Sequence, residues 1–383
     1  MANLVKLLNL LENSMTWNLA LIAFNNRDNA AFSIAGWYVD AGMVVNTLAG
    51  NDIISGIGGT SNSDINNGIT NKVSISNNGT IITGAGNDSI YGISDGIGIY
   101  NTGTINTGTG KDNITGIGNV VGIYTFGTIN TGAGNDTITG IGTGNGAFAI
   151  GNYGTINTGK GNDSITGVTT NNGIGIYTFG TINTGAGNDT ITGISTGGDL
   201  SSSKTSIFNI GIFNDEFTID TGTGNDIVSG TGNFGISNTG TINTGAGNDI
   251  ITGMSTGAGF MGAETVETGG ESGIYNTGTI NTGTGNDTVS AIVGGFSGNG
   301  SIYLGTGNDT LIGFGTGNFY GGTGTDKLLL GEGIYAISGS AIDSGGASMN
   351  ASQFEQIGGV NGGIFSYSDG IVIVNADGVA SFA

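Results

Sequence analysis

Thr131-Gly132-Ala133-Gly134-Asn135-Asp136-Thr137-Ile138-Thr139-Gly140 is one of eleven versions of a single phrase in this chain. The phrase carries its aspartate directly after a glycine-rich turn, at Asp52, Asp88, Asp112, Asp136, Asp163, Asp189, Asp226, Asp249, Asp287, Asp309 and Asp326. Recurrence of this kind means that one structural unit is stacked many times, and it outranks any reading residue by residue. A carboxylate repeated once per stacked unit makes a column of negative charge. Such a column calls for cations.

A second phrase precedes most of the aspartate turns, as in Gly98-Ile99-Tyr100-Asn101-Thr102-Gly103-Thr104-Ile105-Asn106. The isoleucines of its Thr-Ile-Asn triplet, with Thr80-Ile81-Ile82 and Thr218-Ile219-Asp220 as variants, are Ile81, Ile105, Ile129, Ile156, Ile182, Ile219, Ile242 and Ile280, spaced by 24, 24, 27, 26, 37, 23 and 38 residues. The unit is therefore near 24 residues, with inserts expected to loop out around Gly197 to Ile207 and Gly257 to Glu271. Within a unit, apolar residues alternate with Thr and Asn for a few positions and stop at glycine, the pattern of short strands broken by turns. Glycine and β-branched residues at this density exclude helix. One coil cannot bury its own isoleucines, but stacked coils bury them in a column and pair each strand with its neighbours. The expected fold is all-β, a parallel β-solenoid of about eleven coils.

Composition agrees and removes whole classes of function. The 383 residues include 81 glycines and no proline, cysteine or histidine. Without cysteine or histidine there is no disulfide, no thiolate-metal site and no Ser-His or Cys-His catalytic pair. The formal charge of −21, with only seven Lys and Arg, argues against nucleic acid as a partner. Eleven of the 28 acids occupy one position of the repeat, so the charge is placed rather than scattered. No pair of acids stands apart from the repeat to run acid–base chemistry, and an enzyme is not expected.

The phrase Gly-x-Gly-Asn-Asp-x-Ile-x-Gly resembles the nonapeptide of RTX (repeats-in-toxin) proteins, Gly-Gly-x-Gly-x-Asp-x-hydrophobic-x. The resemblance covers roughly Asn46 to Leu330. It implies a β-roll or β-helix with Ca²⁺ bridging consecutive turns through the eleven aspartates and glycine-turn carbonyls. Eleven turns then leave up to about ten interturn positions, enough divalent charge to offset most of the chain's own. There are departures. Threonine usually replaces the first glycine, the first phrase is degraded to Leu48-Ala49-Gly50-Asn51-Asp52, and Lys111 and Thr325 replace the asparagine. Most coils carry one aspartate turn where the family has two, and only Leu304 to Leu330 approaches the family rhythm.

Three regions follow from this reading: an N-terminal cap over 1–45, calcium-binding repeats over 46–330 and a C-terminal cap over 331–383. Leu4, Leu7, Leu8 and Leu11 have the spacing of a short amphipathic helix, and the following segment to Asn46 is expected to pack irregularly over the first coil. Met1 to Glu12 lacks the features of a cleavable signal and is too short to span a bilayer. The resemblance implies an uncleaved type I secretion signal near Val379-Ala380-Ser381-Phe382-Ala383, hence an extracellular or cell-surface location. The leading expectation is a secreted calcium-binding structural protein that assembles head to tail with itself into a filament, sheath or surface layer. A monomeric adhesion module, docking on a cell-surface component, is the alternative. Ice binding ranks lower, because the outward turn position is mixed: Ala85, Thr109, Ala133, Lys160, Ala186, Thr223.

Overall fold

A computed structural model of the protein describes residues 21–23, 30–33, 36–58, 60–61, 72–197, 209–257 and 271–383. Regular structure among them is β throughout, and the chain divides into two compact units, 1–185 and 186–383. The leucine-rich segment read as a helix lies outside the described residues, as does nearly all of both inserts.

In the first unit the coils from Ser89 onward have three strands each. Asn113–Gly118, Val121–Thr125 and Thr128–Asn130 make one coil, and two-residue turns join them. A six-residue turn, Thr131 to Asp136, then leads into the next coil at Thr137–Gly142. Each of these strands pairs in parallel with its counterparts one coil away. Asn113–Gly118 lies between Ser89–Ser94 and Thr137–Gly142, Val121–Thr125 between Ile97–Asn101 and Phe148–Asn152, and Thr128–Asn130 between Thr104–Asn106 and Thr155–Asn157. Register is kept residue for residue, so each inward isoleucine sits on another. Ile105, Ile129 and Ile156 form one fully buried file, Ile114, Ile138 and Ile165 a second, and Ile123, Ile150 and Ile176 a third. The period-2 alternation sends the intervening Thr and Asn outward.

Coils are narrow where the six-residue and five-residue strands face each other across the interior. A Cβ on Gly140 would come within 2.1 Å of the Ala149 carbonyl oxygen, so only glycine allows this approach. This accounts for the Thr-Gly-Ile and Thr-Gly-Val centres of those strands.

Parallel pairing begins earlier than the sequence reading placed it. Leu21–Ala23 pairs with Val44–Asn46, which pairs with Thr80–Ile82, while Ala30–Ser33 pairs with Ile53–Gly56 and Trp37–Val39 with Ile75–Asn77. Residues 21–23, 30–33, 37–39 and 44–45, assigned above to the cap, therefore already pair as coil strands. The aspartate phrase that marks the repeat appears only at Asp52, so the earlier strands carry no signature.

In the second unit Thr190–Ser195, Ile227–Gly232, Ile250–Ser255, Thr288–Ser290, Thr310–Ile312 and Lys327–Leu330 pair successively in parallel. The five-residue face ends at Phe296–Ser297, which pairs with Ser272–Asn276. Loss of that face shortens the last turn of the repeat and accounts for the 17 residues between Asp309 and Asp326. Beyond Leu330 the pairing becomes antiparallel, with Gly333–Ser338, Ala341–Ser344 and Ala347–Ser352 in one meander and Gly370–Val374 beside the first of them. Two strands of this region still continue the coils: Ala347–Ser352 pairs in parallel with Gly317–Tyr320, and Gln356–Gly359 with Lys327–Leu330.

Candidate metal column

The six-residue turn is built by two glycines and an Asn-Asp pair. Gly132 and Gly134 have φ of 99° and 139°, in the region that side chains avoid. Each also presses on the turn of the preceding coil: a Cβ on Gly134 would lie 1.6 Å from the Gly110 carbonyl oxygen, and one on Gly132 2.0 Å from that of Gly108. In the degraded first phrase Leu48 holds the glycine position and adopts φ 72°.

The Asn and Asp side chains of one turn point in opposite directions along the stack. Asparagine accepts from the coil ahead, as the Asn162 N–H donates to Asn135 Oδ1 at 2.9 Å. Aspartate reaches back, accepting on Oδ1 the backbone N–H of the previous aspartate. The first unit contains four such links, Asp52 to Asp88, Asp88 to Asp112, Asp112 to Asp136 and Asp136 to Asp163, at 2.7 to 2.8 Å. The second contains five, joining Asp189, Asp226, Asp249, Asp287, Asp309 and Asp326 in order at 2.7 to 2.8 Å. Lys111 has no acceptor with which to continue the asparagine file, so its substitution interrupts that file while leaving the aspartate file intact.

All eleven aspartates are at most 2% exposed. In each of Asp112, Asp136, Asp226, Asp249, Asp287, Asp309 and Asp326, the second carboxyl oxygen, Oδ2, is buried and makes no hydrogen bond. A threonine hydroxyl lies beside five of them, Thr107 next to Asp112 for example. Its hydrogen, however, goes to the next coil: Thr107 donates to the Thr131 carbonyl at 3.2 Å and Thr131 to that of Thr158 at 3.3 Å. Burial dominates the electrostatics. It pushes the carboxyls of Asp112, Asp226 and Asp249 up to about 6 and that of Asp309 up to about 7, against the backbone N–H bonds that favour ionisation. Asp136, Asp287 and Asp326 are raised for the same reason.

A buried oxygen with a lone pair and no donor is costly, and two states relieve it: a proton on Oδ2, or a cation between coils. The available donors are carboxylate and carbonyl oxygens, a hard set suited to Ca²⁺ or Mg²⁺ and unsuited to zinc or copper. Among the described residues no three acidic side chains converge on one point. Carboxylates therefore come two at a time, and the remaining ligands of any ion would be carbonyls and water. One acid in the file was not among the expected residues. Glu355 Oε2 accepts the Asp326 N–H at 2.7 Å, as an aspartate of a further coil would. Glu355-Gln356-Ile357 repeats the acid-x-apolar order of Asp326-Lys327-Leu328, but no glycine pair precedes it to flag it.

No protein-family model matches the chain, and no curated protein does either. A solved structure, a hyperactive, Ca²⁺-dependent, β-helical antifreeze protein from an Antarctic bacterium, is similar with a TM-score of 0.45 and 20% identity, covering 84% of this chain and 82% of that one.

Proposed function

We propose that the chain is a secreted, calcium-binding structural β-solenoid of the RTX type, in which ions between successive aspartates hold the coils together. The observation that carries this reading is the file of buried Oδ2 atoms without hydrogen bonds, flanked by glycine turns. Calcium suits it better than magnesium, because Ca²⁺ accepts irregular sets of six to eight oxygens whereas Mg²⁺ demands a near-ideal octahedron. Export by a type I route places the sites where calcium is plentiful.

A matched pair of conditions tests the site. Asp136→Asn removes one charge and keeps the shape. In saturating calcium it is expected to destabilise the protein by about 1–3 kcal/mol, through loss of a carboxylate ligand. In ion-free buffer at alkaline pH it is expected to be neutral or stabilising, since it removes a buried unpaired charge. Equal effects of the substitution in both buffers would defeat the calcium reading.

Self-assembly into a filament, sheath or surface layer is the form of this role that the sequence favours. The antiparallel strands after Leu330 cover one end of the repeat, which favours a lateral contact over end-to-end docking there. A lateral face is available in the first unit. Tyr100, Tyr124, Phe126, Tyr153, Tyr177 and Phe179 touch ring to ring, with Phe126 stacked on Tyr153 at 4.9 Å and both Phe126 and Phe179 exposed by 39%. This face serves equally an adhesive module on a cell-surface component. Sedimentation and negative-stain imaging of wild type and a Phe126→Ser, Phe179→Ser double variant separate the two. Calcium-dependent assemblies lost in the variant support self-association, and single particles at high concentration remove it.

Ice binding gains one observation. The turn position is as mixed in space as in sequence, with Ala85, Thr109, Ala133 and Lys160 bridged in that order. Thr104, Thr128 and Thr155 instead form a regular outward file beside Asn106, Asn130 and Asn157. Thermal hysteresis abolished by Thr128→Tyr would support this reading, and its absence from the calcium-loaded wild type would remove it.

A further inference from the structure

We propose that Glu355 is the closing carboxylate of the column and that, with Asp326, it holds a divalent cation joining the C-terminal cap to the last coil. This rests on the calcium reading above. Three observations place it. Gln356–Gly359 continues the parallel sheet beyond Lys327–Leu330 with Gln356 opposite Lys327, so Glu355 stands in the register position of the next aspartate. Its Oε2 takes the Asp326 N–H at 2.7 Å, the bond that Asp326 Oδ1 makes with Asp309 at 2.8 Å. Asp326 Oδ2 is buried beside it with no hydrogen-bond partner.

The change from aspartate to glutamate has a steric reason. The turn before Glu355 is Ser352-Gln353-Phe354, and it lacks the Gly-x-Gly pair that lets the other turns sit close. Gln353 takes φ 61°, and its carbonyl oxygen occupies the place where a Cβ on Gly321 would come within 2.0 Å. With a different turn behind it, the acid needs one more methylene to reach the same N–H. Glu355 is also exposed, whereas Asp326 is 0% exposed, so this position opens to solvent on the cap side. The ion there is therefore expected to exchange first as calcium falls, releasing the cap before the repeat opens.

Glu355→Gln tests this, since its amide oxygen can still accept the Asp326 N–H while the charge is gone. Bound calcium would be counted by equilibrium dialysis, and amide exchange followed over residues 356–359 and, as an internal control, 89–94 and 113–118. The expected result is one calcium fewer per chain and about tenfold faster exchange at 356–359, in line with loss of a metal ligand. Exchange at the control segments should not change. Glu355→Asp should behave like the glutamine variant, because the shorter side chain does not reach. An unchanged calcium count with unchanged exchange at 356–359 overturns the proposal and leaves the calcium reading standing. Wild type that binds no calcium at all overturns both.

Discussion

Stripped of divalent ions, the protein is expected to become less stable as pH rises from about 4 to about 8, the reverse of ordinary carboxylate behaviour. The aspartates start near 3.8 in the unfolded chain, while Asp112, Asp226 and Asp249 are raised to about 6 in the fold and Asp309 to about 7. Between those values the folded state keeps protons that the unfolded state has released, so deprotonation favours unfolding. The contribution is fully present below about pH 4 and is lost by about pH 7. A residue raised by about two units accounts for at most about 3 kcal/mol, and several such residues act together. On the proposed reading, calcium is expected to replace the protons and restore stability at high pH. At a hundredfold excess over the dissociation constant it adds about 2.7 kcal/mol per site, and the four aspartate links of the first unit then approach the whole net stability of a typical domain. Thermal unfolding followed by circular dichroism, in calcium and in chelator-treated buffer across this pH range, measures both arms. Ion-free stability that stays flat or climbs with pH would sink the account of the column.

Gly134→Ala is expected to cost more than about 4 kcal/mol and to broaden or abolish cooperative unfolding of the repeat. Two effects combine. The backbone sits at φ 139°, and the new methyl would lie 1.6 Å from the Gly110 carbonyl oxygen, a backbone atom that cannot step aside without opening the coils. Gly146→Ala separates strain from collision. Its φ of 70° is also left-handed, but no atom lies within 4 Å of the added carbon. The expected cost there is only about 1 kcal/mol. Chemical denaturation of the two variants side by side gives the comparison, and similar losses for both would show that coil-to-coil contact at the glycine turns matters little.

Much of this was legible in the sequence, because a stacked fold writes its geometry into its period. The 24-residue spacing, the Thr-Ile-Asn isoleucines and the aspartate phrase correspond to the coil, its buried files and its carboxylate column. Three strands per coil were not legible. The five-residue strand and the Thr-Ile-Asn strand run together in the sequence as one recurring phrase, Gly98 to Asn106, and only the two residues Thr102-Gly103 separate them. The strands before Asp52 escaped because they lack the turn that advertises a coil. Glu355 escaped for a related reason: its acid-x-apolar order is intact, but the glycines that make the other copies conspicuous are absent where the backbone takes another route.

The opposed asparagine and aspartate side chains give every rung that carries the Asn-Asp pair the same upper face and the same lower face. Removing residues 113–136 as a block would set the Asp112 N–H against Asp163, and the stack would close without a seam. Copy number is then free to vary while the local chemistry stays constant. A gene encoding such a chain can lengthen or shorten by whole rungs through unequal recombination, each event adding or deleting one carboxylate.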